Sequence, residues 1–147
     1  MPQAYRNGNF VISTDPAKLD LDATHAFLTQ SYWAEGVPKD IVARSLQHAL
    51  CFGVYDGGRQ IGLARVISDF ATYAYIADVY VLETYRSQGL GKWLMACVMS
   101  HPDLQGLRRW SLATRDAHGL YRQFGFTELQ RPERHMEILN PDVYKRL

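Results

Sequence analysis

The strongest constraint on the fold of this chain is an abrupt change of pattern around residues 86–91, Arg-Ser-Gln-Gly-Leu-Gly. Residues 72–82, just before it, are rich in Tyr, Ile and Val, which favours a β-strand. Just after it, Leu90, Leu94 and Val98 recur at the spacing of a helix with one apolar face. The pattern predicts a strand, a glycine-containing turn and an amphipathic helix, and hence a domain in which helices pack on a sheet.

The predicted turn has the chemistry of an anion site. A helix N-terminus carries unpaired N–H donors and a partial positive charge. Gly89 and Gly91 let a ligand oxygen approach the main chain closely, and Lys92 adds a full positive charge. The sequence therefore predicts that a phosphate group binds here.

Two nucleotide motifs do not fit this turn. A phosphate-binding NTPase loop needs Ser or Thr after its Gly-Lys pair, but Trp93 follows Lys92. A dinucleotide fingerprint needs Gly or Ala three residues after its second glycine, where this chain has Leu94. A strand–turn–helix corner with no ligand remains the alternative.

Local signals place the other elements of the chain. Asp20 is predicted to cap a first helix, Pro38 to begin a second, and Asp56-Gly57-Gly58 to turn a hairpin. Strands are predicted at 10–12, 50–55, 60–67, 72–82, 110–113, at Phe126 and at 136–139, and two further helices over 90–100 and 118–124. These elements predict one α/β (α+β) domain over residues 1–147 with a single central sheet.

Composition excludes several classes of protein. A hydrophobic fraction of 47% and a charged fraction of 21% are values of a folded domain, and a net charge of +1 disfavours a nucleic-acid binder. Cys51 and Cys97 lie in apolar stretches and are predicted to be reduced core thiols. We expect no secretory leader, no membrane span and no metal site, and a cytoplasmic location.

Two segments together resemble one known family. Arg-x-x-Gly-x-Gly at 86–91, after the strand Val79-Tyr80-Val81, is similar to the coenzyme A pyrophosphate loop of GCN5-related N-acetyltransferases (GNAT). Residues 114–126 resemble the same superfamily's Asn-x-x-Ala-x-x-Leu-Tyr motif, followed by Gly-Phe. Ala117, Leu120, Tyr121, Gly125 and Phe126 fit that motif, and Thr114 replaces its Asn.

The resemblance implies a mixed central sheet with helices on both faces and acetyl-coenzyme A (acetyl-CoA) as acyl donor. Direct transfer to the amine of a small molecule or peptide is implied, with no covalent enzyme intermediate. It also implies that a main-chain N–H of Val79 or Val81 polarises the thioester carbonyl. The implied cofactor-binding residues are Val79, Tyr80, Val81, Arg86, Ser87, Gln88, Gly89, Leu90, Gly91, Lys92, Thr114 and Tyr121.

Two residues are candidate catalytic groups. Tyr121 is a candidate acid for the departing thiolate, and the alternative is a core aromatic residue on a short helix. Asp78 is a candidate base acting through water, or a charge that anchors the amine. Its alternative is a structural carboxylate held by a nearby backbone group or Arg. If Val79 and Val81 face one layer, strand alternation places Asp78 and Tyr80 on the other.

Other residues are candidates for contacting the acceptor. Tyr32 and Trp33, between the first two helices, either wall an acceptor pocket or cover the core. Asp69 and His118 are lesser candidates, because a lone His is more often structural or exposed than catalytic.

The sequence is compatible with three functions to different degrees. The first is acetyl-CoA-dependent N-acyltransferase activity. The second is an acyl-CoA-binding sensor without turnover, which needs the loop but not Tyr121. A nucleic-acid-binding domain is the third, and it needs a basic face that the net charge does not suggest. The resemblance also implies a possible homodimer, formed through an edge strand or the last hairpin.

Overall fold

One mixed sheet organises the protein in a computed structural model that describes residues 1–145. Its strands are β1 (Ala4–Asn7), β2 (Phe10–Ser13), β3 (Leu50–Asp56), β4 (Arg59–Ser68), β5 (Tyr73–Val81) and β6 (Arg109–Leu112). The helices are α1 (Leu21–Leu28), α2 (Lys39–Gln47), α3 (Leu90–Ser100) and α4 (His118–Arg122). Short 3₁₀ turns cover Pro16–Lys18, Glu83–Tyr85, Pro102–Leu104 and Pro132–Arg134.

The strands lie in chain order, and only the last pair is parallel. Strands β1 to β5 pair antiparallel with their neighbours, and β5 pairs parallel with β6. The parallel ladder runs from Tyr73 opposite Arg109 to Ile76 opposite Leu112 and stops there. Beyond that point a cleft lies between the continuation of β5 and the residues that follow β6.

Helices cover both faces of the sheet, as predicted. On one face, Leu28 of α1 and Val42 of α2 pack with Leu63 and Tyr80 of the sheet. On the other face, the apolar side of α3 packs over β2 to β5. The alternation in β5 is also confirmed, because Val79 and Val81 pack on the α3 side and Tyr80 on the α1–α2 side.

Local signals placed most elements correctly. The Asp20 carboxylate accepts the N–H of Ala23 and caps α1, and Pro38 is the residue before α2. Gly57 turns the β3–β4 hairpin with φ 60°, a conformation that favours glycine. Cys51 and Cys97 are buried free thiols, and burial raises the pKa of Cys51 to about 12 and that of Cys97 to about 11.

Two predictions about strands were wrong, and one strand was missed. Residues 4–7 form β1, although this polar segment gives no apolar alternation. Neither Phe126 nor residues 136–139 belong to a strand, because no described strand pairs with them. Phe126 instead packs edge-on against the ring of Tyr121. Within the described residues, no helix is long and apolar enough to cross a membrane.

Candidate active site

A cleft of about 520 Å³ opens where β5 and β6 cease to pair. Ala77, Asp78 and Val79 of β5 form one side, and residues 112–117 form the opposite side. The segment between α1 and α2 closes the end of the cleft with Tyr32 and Trp33. The cleft therefore connects both faces of the sheet at a single break in its ladder.

A bulge in β5 lies at the middle of this cleft. Tyr80 pairs with Leu63 and Ala77 with Arg65, so two residues of β5, Asp78 and Val79, stand opposite one residue of β4. Asp78 has φ 53°, a left-handed conformation that Asp tolerates better than most residues. A bulge leaves main-chain groups outside the ladder and re-aims the side chain. Here it turns the Asp78 carboxylate into the cleft.

The turn from Arg86 to Lys92, named here the phosphate loop, has the geometry of an anion site. Ser87 and Gly89 both have positive φ, 68° and 79°, which curves the main chain before α3. The first helical bond runs from the N–H of Trp93 to Gly89, so the N–H groups of residues 87–92 have no hydrogen-bond acceptor within the described residues. Successive N–H groups on such a curve form a concave anion-binding surface.

The surroundings of the phosphate loop leave room for a ligand. A Cβ atom added at Gly89 or at Gly91 would meet no other atom within 4 Å. The Arg86 Nε donates to the carbonyl of Val81 at 3.0 Å and ties the loop to β5. Lys92 is exposed and has no ion-pair partner among the described residues. The side chain of Leu90 lies in the core, so only its main chain faces the loop.

Tyr121 lies on α4 at the border between the core and the cleft. It is 8% exposed and lines the cleft, and its hydroxyl has no protein hydrogen bond among the described residues. Burial raises the pKa of Tyr121 to about 12, so the phenol is protonated at neutral pH. Thr114 lies near the start of α4, where its hydroxyl accepts the N–H of Ala117 at 3.1 Å.

Asp78 is the centre of a hydrogen-bonded group on the other side of the cleft. Trp33 Nε1 donates to Asp78 Oδ1 at 2.7 Å, and Arg65 Nε donates to Asp78 Oδ2 at 2.7 Å. The side chains of Arg65 and Asp78 are only 16% and 10% exposed, so water screens this ion pair weakly. The expectation that an Arg holds this carboxylate agrees with the geometry.

A second contact group extends the same wall. The guanidinium of Arg115 lies 3.8 Å from the centre of the Tyr32 ring. The main-chain N–H of Arg115 also donates to the Tyr32 hydroxyl at 3.1 Å. The Tyr32 and Trp33 rings meet edge-to-face at 5.1 Å. Both remain nearly half exposed, so they line the cleft rather than fill the core. We call Tyr32, Trp33, Arg65, Asp78 and Arg115 the acceptor wall.

Two acceptor candidates lie away from the cleft. The Asp69 carboxylate accepts the Thr72 hydroxyl and three main-chain N–H groups in the β4–β5 turn, and these bonds hold its pKa well below the usual range. His118 is exposed at the start of α4. The Tyr80 side chain also points away from the cleft, because it stacks on Phe27 with 3.8 Å between ring centres.

Sequence reasoning missed several residues of the cleft, among them Arg65, Tyr75, Arg115 and Tyr144. For Arg65 the sequence did contain a signal: alternation along β4 places Arg65 on the same face of the sheet as Leu63. The others depend on how separate segments meet in space. Within the part of the chain that the structure describes, no cluster of His, Cys, Asp or Glu has the arrangement of a metal site.

Comparison with known proteins agrees with this geometry. A family model described as an acetyltransferase (GNAT) domain matches residues 47–128. A Gibberella zeae protein named as a candidate acetyltransferase is 33% identical, over 82% of this chain and 80% of its own length. The crystal structure of a candidate GNAT-family acetyltransferase from Xanthomonas campestris is 50% identical, with a TM-score of 0.91, and the match covers 93% of this chain and 97% of that one.

A more distant structure shares the fold. A candidate acetyltransferase of Clostridium acetobutylicum, crystallised with acetyl-CoA, matches with a TM-score of 0.64 at 13% identity, over 95% of this chain and 96% of that one. The matched family model covers the cleft strands, the phosphate loop and α4. The chain therefore belongs to the GNAT family of acetyltransferases.

Proposed function

We propose that this protein transfers an acetyl group from acetyl-CoA directly to the amine of a small molecule or peptide, with both substrates bound together. One observation carries the proposal: a single cleft joins the β5 bulge, the Tyr121 hydroxyl and the acceptor wall. Donor and acceptor groups on either side of one opening favour direct transfer, because the two reacting atoms can then be held in contact.

The phosphate loop fits the pyrophosphate of coenzyme A. Its N–H groups lack protein acceptors, and both glycines leave open space on the ligand side. Lys92 supplies a full positive charge at the start of α3, where the helix dipole also favours an anion. When bound, acetyl-CoA supplies an acetyl group activated as a thioester.

The bulge in β5 supplies the polarising group. A main-chain N–H at Val79 that points into the cleft would stabilise negative charge on the thioester oxygen, as oxyanion donors do. Removal of one such donor in other enzymes costs about 100- to 1,000-fold in kcat. The left-handed Asp78 next to it fixes the direction of this N–H without any side chain.

Tyr121 stabilises the departing sulfur. With its pKa at about 12 against about 8.5 for a thiol, complete transfer of its proton would be uphill by roughly 5 kcal/mol. We therefore assign it a strong hydrogen bond to the thiolate, and the acceptor nitrogen supplies the proton that the sulfur finally takes. The C–S bond breaks as the C–N bond forms, so one amine proton leaves for each acetyl group transferred.

The acceptor wall selects and holds the amine. An alkylammonium with pKa about 10.4 is neutral only once in several thousand molecules at pH 7, which costs about 4.6 kcal/mol. Trp33 and Arg65 already occupy both oxygens of Asp78, so we propose that Asp78 positions the wall and meets the amine only through its remaining lone pairs. Desolvation by Tyr32, Trp33 and Tyr75 then favours the neutral amine.

This wall suits some amines better than others. Its aromatic rings offer contact area to an aryl-alkyl monoamine. A polyamine needs unpaired carboxylates, and the inward carboxylate of Asp78 is neutralised by Arg65. We therefore expect aryl-alkyl monoamines to be acetylated with higher kcat/KM than diamines of equal length.

A thiol-release assay over a panel of amines tests the proposal. Purified protein is mixed with acetyl-CoA and each amine, and free coenzyme A is measured with a thiol reagent. Cys51 and Cys97 are buried and contribute little background. We expect release that depends on both enzyme and amine, with mass spectrometry showing the acetylated amine. Binding of coenzyme A without release on any amine would favour the sensor function instead.

A further inference from the structure

Arg65 is an incompletely paired guanidinium in the wall of the cleft. Its side chain is only 16% exposed. The Nε donates to the carboxylate of Asp78 at 2.7 Å, but neither Nη nitrogen has a hydrogen bond within the described residues. A guanidinium has five N–H donors, so four donors of Arg65 are left over. Because largely buried polar groups normally have partners, these donors point to an acceptor group that a ligand brings.

The leftover donors can be reached from the cleft. Among the described side-chain nitrogens and oxygens that are closed off from solvent, only the Tyr55 hydroxyl has no partner. The Nη nitrogens of Arg65 also have no partner, so both must be open to solvent. Arg65 lines the cleft, and a molecule bound there has access to these N–H groups.

A carboxylate fits this group better than a phosphate does. Because Nε already donates to Asp78, the free donors form the Nη end of the guanidinium, where a carboxylate binds through two parallel bonds. A phosphate monoester would bring nearly two negative charges towards Asp78, whereas a carboxylate brings one. Arg115 adds a second positive charge to the same wall, and Asp116, the other acidic residue of the cleft, is well exposed and screened by water.

The position of Arg65 limits how far this carboxylate lies from the reacting nitrogen. Arg65 bonds the side chain of Asp78, and the next residue, Val79, carries the N–H that we assign to the thioester oxygen. The acceptor nitrogen has to contact the thioester carbon while the carboxylate reaches Arg65. A short link between amine and carboxylate suits these positions, and in an α-amino acid one carbon links them.

The cleft also has an apolar end that suits the rest of such a molecule. Leu28 of α1, Val42 of α2 and Val37 between them line it, and each is at most 5% exposed. The rings of Tyr32 and Trp33 border the same space. Burial of apolar surface contributes about 25 cal/mol per Å², so this end favours a large apolar or aromatic side chain.

We propose that the acceptor is a free α-amino acid with a large apolar or aromatic side chain, whose carboxylate binds the two Nη groups of Arg65. This inference rests on the proposed acetyl transfer and narrows its acceptor, because a peptide N-terminus has an amide in place of this carboxylate. The C–N bond forms as the C–S bond breaks, and one proton of the neutral amine ends on the sulfur. The products are an N-acetyl amino acid and coenzyme A.

A set of three amines tests the carboxylate on the wild-type protein. L-Phenylalanine, L-phenylalaninamide and phenethylamine share the aromatic ring and the primary amine, and only the first carries a carboxylate. We expect kcat/KM for phenylalanine to be at least about 30-fold higher than for either of the others, the size of a charge-assisted bidentate bond. The amide has an amine of lower pKa than phenylalanine and hence a larger neutral fraction, so desolvation alone would favour the amide.

A double variant tests whether Arg65 carries the preference. Arg65→Gln with Asp78→Asn removes both partners of the ion pair, so no buried charge is left unpaired. The ratio of kcat/KM for phenylalanine over its amide should fall below about threefold in this variant. Arg44→Gln, at an exposed Arg of α2 outside the cleft, is the matched control and should keep the wild-type ratio.

Calorimetric titration adds a measurement that needs no turnover. 3-Phenylpropanoate keeps the ring and the carboxylate but has no amine, and it should bind the wild-type protein at least about 10-fold more tightly than 3-phenylpropanamide. The double variant should bind the two compounds with similar affinity. Equal affinities in the wild-type protein would overturn the carboxylate site.

The outcomes separate this inference from the function on which it rests. Release of coenzyme A with all three amines at equal kcat/KM, or a ratio unchanged in the double variant, would overturn the carboxylate site and leave acetyl transfer standing. No release with any amine of the wider panel would overturn the proposed function, and this inference with it. The wild-type ratio is measured independently, so it decides between these outcomes even if the double variant does not fold.

Discussion

The phosphate loop and the acceptor wall lie around the same strand but are built in opposite ways. The loop presents main-chain N–H groups from six consecutive residues, 87–92, and its shape depends on Gly89 and Ser87 at positive φ. The wall presents side chains from four separate segments, held by the bonds of Asp78 to Trp33 and Arg65. A main-chain site is fixed by local sequence, whereas a side-chain site exists only once distant segments have met.

The largest expected effect comes from Tyr121, which we propose as the hydrogen-bond donor to the departing thiolate. Tyr121→Phe removes the hydroxyl but keeps the ring that packs on Phe126, so we expect kcat to fall about 100-fold with coenzyme A Kd within twofold. Steady-state kinetics and calorimetric titration measure the two quantities. Since the pKa of Tyr121 is about 12, loss of its hydroxyl proton should not lower the wild-type rate below pH 11.

The control for Tyr121→Phe is Tyr73→Phe. Tyr73 lies at the start of β5, its hydroxyl bonds Ser111, and it is not part of the cleft. Turnover should stay within twofold of wild type. A Tyr121→Phe protein with normal kcat would show that the reaction needs the aromatic ring of Tyr121 but not its hydroxyl.

Asp78→Asn tests whether the wall acts independently of the loop. Asn also accepts positive φ, so the bulge should persist, but the charge that pairs with Arg65 is lost. We expect the acceptor KM to rise about 20-fold, with the acetyl-CoA KM within twofold, and unfolding free energy to fall by about 2–4 kcal/mol. Initial rates with each substrate varied, and denaturant titration, measure these values.

The matched control for Asp78→Asn is Asp116→Asn. Asp116 also lines the cleft, but it is well exposed, and the Oδ2 of Asp116 is 3.7 Å from Arg115. Both KM values should change less than twofold, as for a typical surface pair. If Asp78→Asn raised the acetyl-CoA KM as much as the acceptor KM, the separation between wall and loop would be wrong.

A pair of glycine variants tests the main-chain character of the loop. Gly89→Ala places a Cβ at φ 79°, which costs about 1–2 kcal/mol and should weaken coenzyme A binding roughly 10-fold. Gly91→Ala lies in the first turn of α3 without positive φ, so it should stabilise the free protein by about 0.5–1 kcal/mol. Thermal unfolding of both variants without ligand reveals the opposite signs, and equal signs would contradict the assigned loop geometry.

The smallest effect is expected at Lys92. The side chain is exposed and adds a screened charge to a site made mainly of N–H groups, so Lys92→Ala should raise the coenzyme A Kd only about threefold at low salt. Titrations at 0.05 M and 0.5 M salt should show the difference shrinking towards zero. Lys39→Ala, far from the loop and paired with Asp22, should have no effect at either salt concentration.

The difference between local and long-range contacts also explains which features could be predicted from the sequence. The phosphate loop, the Gly57 hairpin and the Asp20 cap depend on neighbours within a few residues, and each lies where expected. Strand 136–139 was predicted from an equally good local pattern, but a strand also needs a partner edge. An Arg partner for Asp78 was one expected alternative, but its identity as Arg65 could not be predicted, because the bulge that aims Asp78 depends on the register between β4 and β5.

That bulge also determines how such a scaffold can change its substrate. A left-handed residue in β5 restricts position 78 to a few side chains, and we propose that the strand around it binds the acyl donor. The segment between α1 and α2 has no such backbone restriction at Tyr32 and Trp33, whose exposed side chains line the cleft. New acceptor preferences are therefore best sought by randomising the exposed residues Tyr32, Trp33 and Glu35, with β5 and the phosphate loop left intact.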